Sequence, residues 1–91
     1  MHIMYVDDER PALENFKFSI EKLDKFTAAD SLIMFQDGEL ALEYAKLNRI
    51  DIAFLDMQMP GIHGLDLAIK LKEINDRTMI VFVTAYSQYA L

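Results

Sequence analysis

Four short apolar runs punctuate the chain, at residues 3–6 (IMYV), 31–35 (SLIMF), 51–55 (DIAFL) and 79–83 (MIVFV). None alternates polar with apolar, and each is too short for a typical helix. The pattern predicts strands buried on both faces of a sheet. Between the runs the spacing turns helical. Leu13, Phe16, Ile20 and Leu23 fall on one face of the first such segment, and Pro11 sits in a first turn, where its missing N–H costs nothing. Asp37 is placed to cap the second, with Glu39 in its first turn and Leu40, Ala41, Tyr44 and Ala45 facing inward. In the third, Leu67, Leu71 and Ile74 form a stripe with Ala68 beside it, and the sequence Ile74-Asn75-Asp76 ends it. Strands alternating with helices predict βαβ units. The fold class is α/β, a doubly wound parallel sheet with helices on both faces.

Ninety-one residues suit one domain spanning 1–91, and a hydrophobic content of 53% supplies a core that a disordered chain lacks. A net charge of -6 argues against direct binding of nucleic acid or of an anionic membrane surface. It is compatible with divalent cations if the acids converge. The chain has no cysteine, hence neither a disulfide framework nor a thiolate metal site. The N-terminus turns acidic after six residues, too soon for a signal peptide, and no apolar run approaches the ~20 residues of a spanning helix. A soluble, cytoplasmic domain is the expectation.

The polar residues mark the strand ends. Asp7 and Asp8 follow the first strand directly, Asp56 follows the third and Thr84 the fourth. Open α/β sheets bind ligands beyond the carboxyl ends of their strands, where strand order reverses. With order 2-1-3-4, strands one and three are neighbours at that point. Asp7, Asp8 and Asp56 then share one pocket, with Thr84 one strand over. Two carboxylates ~5 Å apart repel by roughly 3 kcal/mol at an effective dielectric of ~20. Protonation relieves that, and so does a hard divalent cation. Mg²⁺ fits such a site, because it takes one or two carboxylates, keeps waters and accepts phosphate oxygens. A carboxylate is also a nucleophile for phosphoryl transfer. That chemistry needs a metal and a small hydroxyl or backbone N–H for the transferring oxygens.

Plainer roles compete. A lone aspartate at a strand end commonly caps the next helix, and threonine is common at strand ends. The pair Asp7-Asp8 together with Asp56 favours a site over caps. His63 has no second histidine nearby and is assigned to the surface. The six methionines suit core filling. Glu39, Glu43 and Lys46 form a solvated helix face.

"YVDDE" after the first strand, "FLDMQMPGIHGLDL" across the third and "VFVTAY" at the fourth resemble the receiver domain of two-component response regulators. The resemblance covers the whole chain, and the Asp-x-x-Met-Pro-Gly-x-x-Gly element is its most specific part. It implies a flavodoxin-like (CheY-like) fold with strand order 2-1-3-4-5. Asp56 is then the phosphoacceptor, and Asp7 and Asp8 hold Mg²⁺ together with Asp56 and the backbone carbonyl of Gln58. Thr84 is the switch hydroxyl, the Ala85 N–H lies beside it, and a sensor histidine kinase is the phosphodonor. The ending "TAYSQYAL" resembles receivers attached to LytTR-type DNA-binding domains.

Family members continue through a fifth strand and fifth helix, whereas this chain stops at Leu91. The resemblance therefore implies a truncated receiver, lacking the fifth strand's lysine and switch aromatic. Lys46, Lys70 and Lys72 fall in the second and third helices and do not replace that lysine. The corresponding expectation is self-association through the exposed fourth strand, as a homodimer or swapped oligomer. A domain of this kind modifies itself and is not a conventional enzyme. Two alternatives are an inert self-associating fragment and a small aspartate-nucleophile phosphohydrolase. The latter is disfavoured by Gln58, where that class carries a second aspartate.

Overall fold

In the computed structural model, which describes residues 1–83, the apolar runs become four five-residue strands separated by three helices. The order along the chain is β1 (His2–Val6), α1 (Arg10–Glu21), β2 (Ser31–Phe35), α2 (Gly38–Leu47), β3 (Ile52–Asp56), α3 (Gly64–Ile74) and β4 (Met79–Val83). All pairings are parallel, and the sheet order is β2-β1-β3-β4. Among the described residues no helix is long and apolar enough to cross a membrane.

The two faces of the sheet are filled by different residues of the same strands, as the period of two requires. Met4 and Val6 of β1 and Ala53 and Leu55 of β3 pack under α2 and α3, against Ala41, Leu42 and Ala45 and against Leu67, Ala68 and Leu71. Leu55 and Leu67 are fully buried. Truncating either to alanine should cost ~2–5 kcal/mol, the usual range for a buried leucine. The opposite face carries Ile3 and Tyr5, with α1 across it. Phe16 of α1 packs against Tyr5 at 4.4 Å between ring centroids and against Phe54 at 4.8 Å, with the rings tilted in both pairs.

Burial on both faces, expected for all four strands, holds only for the central β1, where every residue from Ile3 to Val6 is buried. Along β3, buried residues alternate with half-buried ones, and β2 and β4 are half-buried to exposed. The reason is position: β2 is an edge, and β4 has no described strand on its outer side. Three helix-face assignments also change, one being Ile74, which is 39% exposed at the end of α3 while Leu67, Ala68 and Leu71 are buried. Leu40 is 59% exposed, and the buried stripe of α2 is Gly38, Ala41, Leu42 and Ala45, spaced i, i+3, i+4 and i+7. Leu23 lies past the end of α1 and is exposed. The cap is as expected: Asp37 accepts the Glu39 N–H at 2.8 Å.

The consequence for function lies in the register. Val6 of β1 partners Leu55 of β3, and Asp56 partners Val83 of β4. The residues that follow β1 therefore come level with the last residue of β3, at the end of the sheet where strand order reverses.

Candidate functional site

Asp7 continues the β1 ladder by one bond, its N–H donating to the Phe35 carbonyl at 3.0 Å, and is itself buried. Its carboxylate has two donors. The Tyr5 hydroxyl donates to Oδ2 at 2.9 Å, and the Glu9 N–H donates to Oδ1 at 3.0 Å as the chain turns into α1. Asp8 is half-buried, and its carbonyl accepts from the Gln36 side chain at 3.3 Å. Asp56, the final residue of β3, is half-buried and accepts the Gln58 N–H on Oδ1 at 3.2 Å.

The structure brings Asp7, Asp8 and Asp56 together: one carboxylate oxygen from each lies within 4.8 Å of the others. Burial pushes the Asp56 carboxyl up to about 6, and the charges of Asp7 and Asp8 and a hydrogen bond to Asp8 push the same way, against the Gln58 N–H. The Tyr5 hydroxyl is also held well above the usual phenol range, first by burial and then by its bond to the negative Asp7. Among the described residues, no lysine or arginine forms an ion pair with any of the three aspartates. The donor set is hard oxygen throughout, so the residues present fit a hard divalent cation.

The turn after Asp56 is close-packed against the strand end. The Gly64 N–H donates to the Met57 carbonyl at 3.1 Å, which seats the first residue of α3 under the loop. A Cβ on Gly64 would lie 2.1 Å from the Asp56 carbonyl oxygen, so only glycine lets α3 begin there. Gly61, at φ 84°, supplies the left-handed residue of the same turn. Gln58 is exposed on this loop, and His63 precedes α3 at the surface without a side-chain capping bond. A groove of about 700 Å³ lies along this loop, lined by Met57, Gln58, Met59, Pro60, His63, Leu65 and Asp66. None of the three carboxylates lines it, so it neighbours the acidic cluster without being part of it.

Thr84 and Ala85 lie outside the described residues. Two contributors escaped the sequence reading. Tyr5 looked like one more apolar strand residue, although its place two before Asp7 put both on one face. The close approach at Gly64 had a signal in the second glycine of the Asp-x-x-Met-Pro-Gly-x-x-Gly element.

Residues 3–91 match the model of the response regulator receiver domain. Among curated proteins, the sensory transduction protein LytT of Bacillus anthracis is 35% identical over 91 residues, covering 100% of this chain and 36% of LytT. The positive alginate biosynthesis regulatory protein of Pseudomonas aeruginosa is 33% identical, with the same two coverages. The chain thus spans 36% of the length of these relatives. Among solved structures, the response regulator TrrA of Thermotoga maritima, in complex with Mg²⁺ and BeF, superposes with a TM-score of 0.80 at 31% identity, over 97% of this chain and 72% of that one. TrrA in complex with the histidine kinase ThkA gives 0.79 at 30% identity, over 99% and 73%. The parallel sheet, the acidic cluster at its carboxyl end and the match over nearly all of the sequence agree: this chain belongs to the response regulator receiver domains of two-component signalling.

Proposed function

We propose that this receiver domain takes a phosphoryl group from a sensor histidine kinase onto Asp56, in a site where Asp7, Asp8, Asp56 and the Gln58 carbonyl hold Mg²⁺. The observation that carries the reading is the convergence of three carboxylate oxygens within 4.8 Å, one of them on the last residue of β3. Bound there, Mg²⁺ supplies charge neutralisation for the phosphoryl oxygens. The similar receiver TrrA has been crystallised with Mg²⁺ and BeF and with a histidine kinase, which supports both the ion and the donor class.

The chain's own residues then do the following. The Gln58 N–H holds Oδ1 of Asp56, which fixes the rotation of the carboxylate and presents Oδ2 as the attacking oxygen. That oxygen forms a bond to phosphorus as the P–N bond of the phosphohistidine breaks. The bonding pair returns to the imidazole, which takes up a proton, and Asp56 is left as an acyl phosphate. The Thr84 hydroxyl and the Ala85 N–H are assigned to the phosphoryl oxygens, since Thr84 follows Val83, the ladder partner of Asp56. The domain acts on itself, in the cytoplasm, and passes its state on as a signal.

Self-association through β4 belongs to the same proposal. β4 pairs with β3 on one side, and Met79 and Phe82 are 59% and 41% exposed. The 91-residue chain is expected to run as a dimer by light scattering, and a monomer at high concentration removes this part.

Intact-mass measurement after incubation with MgCl₂ and acetyl phosphate tests the central step. The expected result is a gain of one phosphoryl group, absent without Mg²⁺ and absent in Asp56→Asn. An unchanged mass with Mg²⁺ present would mean that the acids are inert.

A further inference from the structure

Tyr5 sits two residues before Asp7, so strand alternation puts both side chains on the same face of the sheet. Its ring is buried with Phe16, in the aromatic layer that α1 shares with the sheet. Phenylalanine would fill that layer equally well. A buried hydroxyl costs ~1–3 kcal/mol unless it is hydrogen-bonded, so packing alone does not account for tyrosine here. The hydroxyl reaches past the aromatic layer to the strand end and donates to Asp7 Oδ2 at 2.9 Å. With the Glu9 N–H on Oδ1, both oxygens of Asp7 are held by neutral donors, and each keeps a lone pair for another partner.

We propose that Tyr5 is a positioning residue for the metal site: its hydroxyl fixes the rotation of the Asp7 carboxylate beside Asp8 and Asp56. The inference rests on the reading of this cluster as a Mg²⁺ site. A partner that orients a ligand is a recurrent part of metal centres, and its loss commonly weakens metal binding.

Tyr5→Phe keeps the ring and both aromatic contacts and removes only the hydroxyl. Calorimetric titration with MgCl₂ is expected to give a Kd about tenfold weaker than that of the unmodified chain, the low end of the range for lost supporting partners. In acetyl phosphate labelling, the Mg²⁺ concentration for half-maximal rate rises by the same factor, and the rate recovers at saturating Mg²⁺. Phe16→Leu is the packing control. It loosens the same aromatic layer without touching the hydroxyl, so it lowers Tm and leaves the Mg²⁺ Kd in place. Equal Mg²⁺ affinity in Tyr5→Phe and the unmodified chain overturns the positioning role, as does an equal loss of affinity in Phe16→Leu. A failure of the unmodified chain to bind Mg²⁺ at millimolar concentration overturns the metal reading itself, and the role of Tyr5 with it.

Discussion

At the end of the sheet where the strands begin, polar groups meet in donor–acceptor pairs. The His2 N–H donates to Asp51 Oδ2 at 2.7 Å, and the Asp51 N–H donates back to the His2 carbonyl at 2.9 Å. The His2 ring bonds the Ser31 hydroxyl and, at 2.5 Å, the Tyr44 hydroxyl. The buried Thr78 hydroxyl donates to the Ile50 carbonyl at 2.7 Å, and Lys72 closes the carbonyls of Asp76 and Thr78, both at 2.8 Å. At the end where the strands finish, three carboxylates face one another, and among the described residues no cation is paired with them. Burial there raises the Asp56 carboxyl to about 6. One end is arranged so that each group satisfies another within the chain, and the other gathers three carboxylates whose charge no described cation balances. Acids gathered in this way repel one another until a proton or a bound cation relieves them, and this is the physical basis for placing function at the carboxyl end.

Substitutions at the two ends should part company. The largest effect is expected for Gly64→Ala, whose new methyl meets the Asp56 carbonyl and forces the start of α3 away. Overpacking of this kind costs about 3 kcal/mol, at the upper end of its usual range, and denaturant unfolding should show it together with weakened Mg²⁺ binding. Gly61→Ala supplies the contrast within the same turn. Nothing lies within 4 Å of its Cβ, so only the left-handed backbone opposes it, and Mg²⁺ binding should persist.

Thr78→Val comes next, at about 2 kcal/mol. It removes the buried hydroxyl from the Ile50 carbonyl and should lower stability without changing phosphorylation of the folded chain. An effect of Thr78→Val on Mg²⁺ affinity would blur the separation of the two ends.

The smallest effect has the opposite sign. In the folded chain Asp56 takes up its proton near pH 6, above the ordinary carboxyl value of 3.8. The stability it contributes is therefore full below the unfolded value and is lost as pH rises through about 6. Asp56→Asn carries no such charge. Without Mg²⁺ it should be more stable than the unmodified chain at pH 7–8 by about 1 kcal/mol after solvent screening, and the gain should vanish toward pH 4. Thermal melts across that range, with and without Mg²⁺, check it.

Much of this was legible in the sequence, for reasons that name its blind spots. The strands announce themselves because each is a compact apolar run, whereas the order 2-1-3-4 comes from the family resemblance, and given that order Asp7, Asp8 and Asp56 meet. The uneven burial of β2 and β4 does not show in the apolar runs themselves, which read the same at the edge of a sheet as at its centre; the edge position of β4 comes only with the strand order that the resemblance implies. Leu40 was assigned inward from its hydrophobicity, whereas the helix turns the Gly38, Ala41, Leu42 and Ala45 stripe inward instead. At the site, the acids were readable from their place at the strand ends. The role of Tyr5 was not, since a ring in a core and a ring that carries a hydroxyl to a carboxylate use the same strand position.

The most direct test of the account is the titration of the Asp56 carboxyl, followed by carbon-detected NMR with and without Mg²⁺. The account predicts a value of about 6 without the ion and a clear fall when Mg²⁺ is added, as the cation takes over the charge that Asp7 and Asp8 oppose. An ordinary carboxyl value in the free chain, or one that Mg²⁺ leaves unmoved, would contradict it.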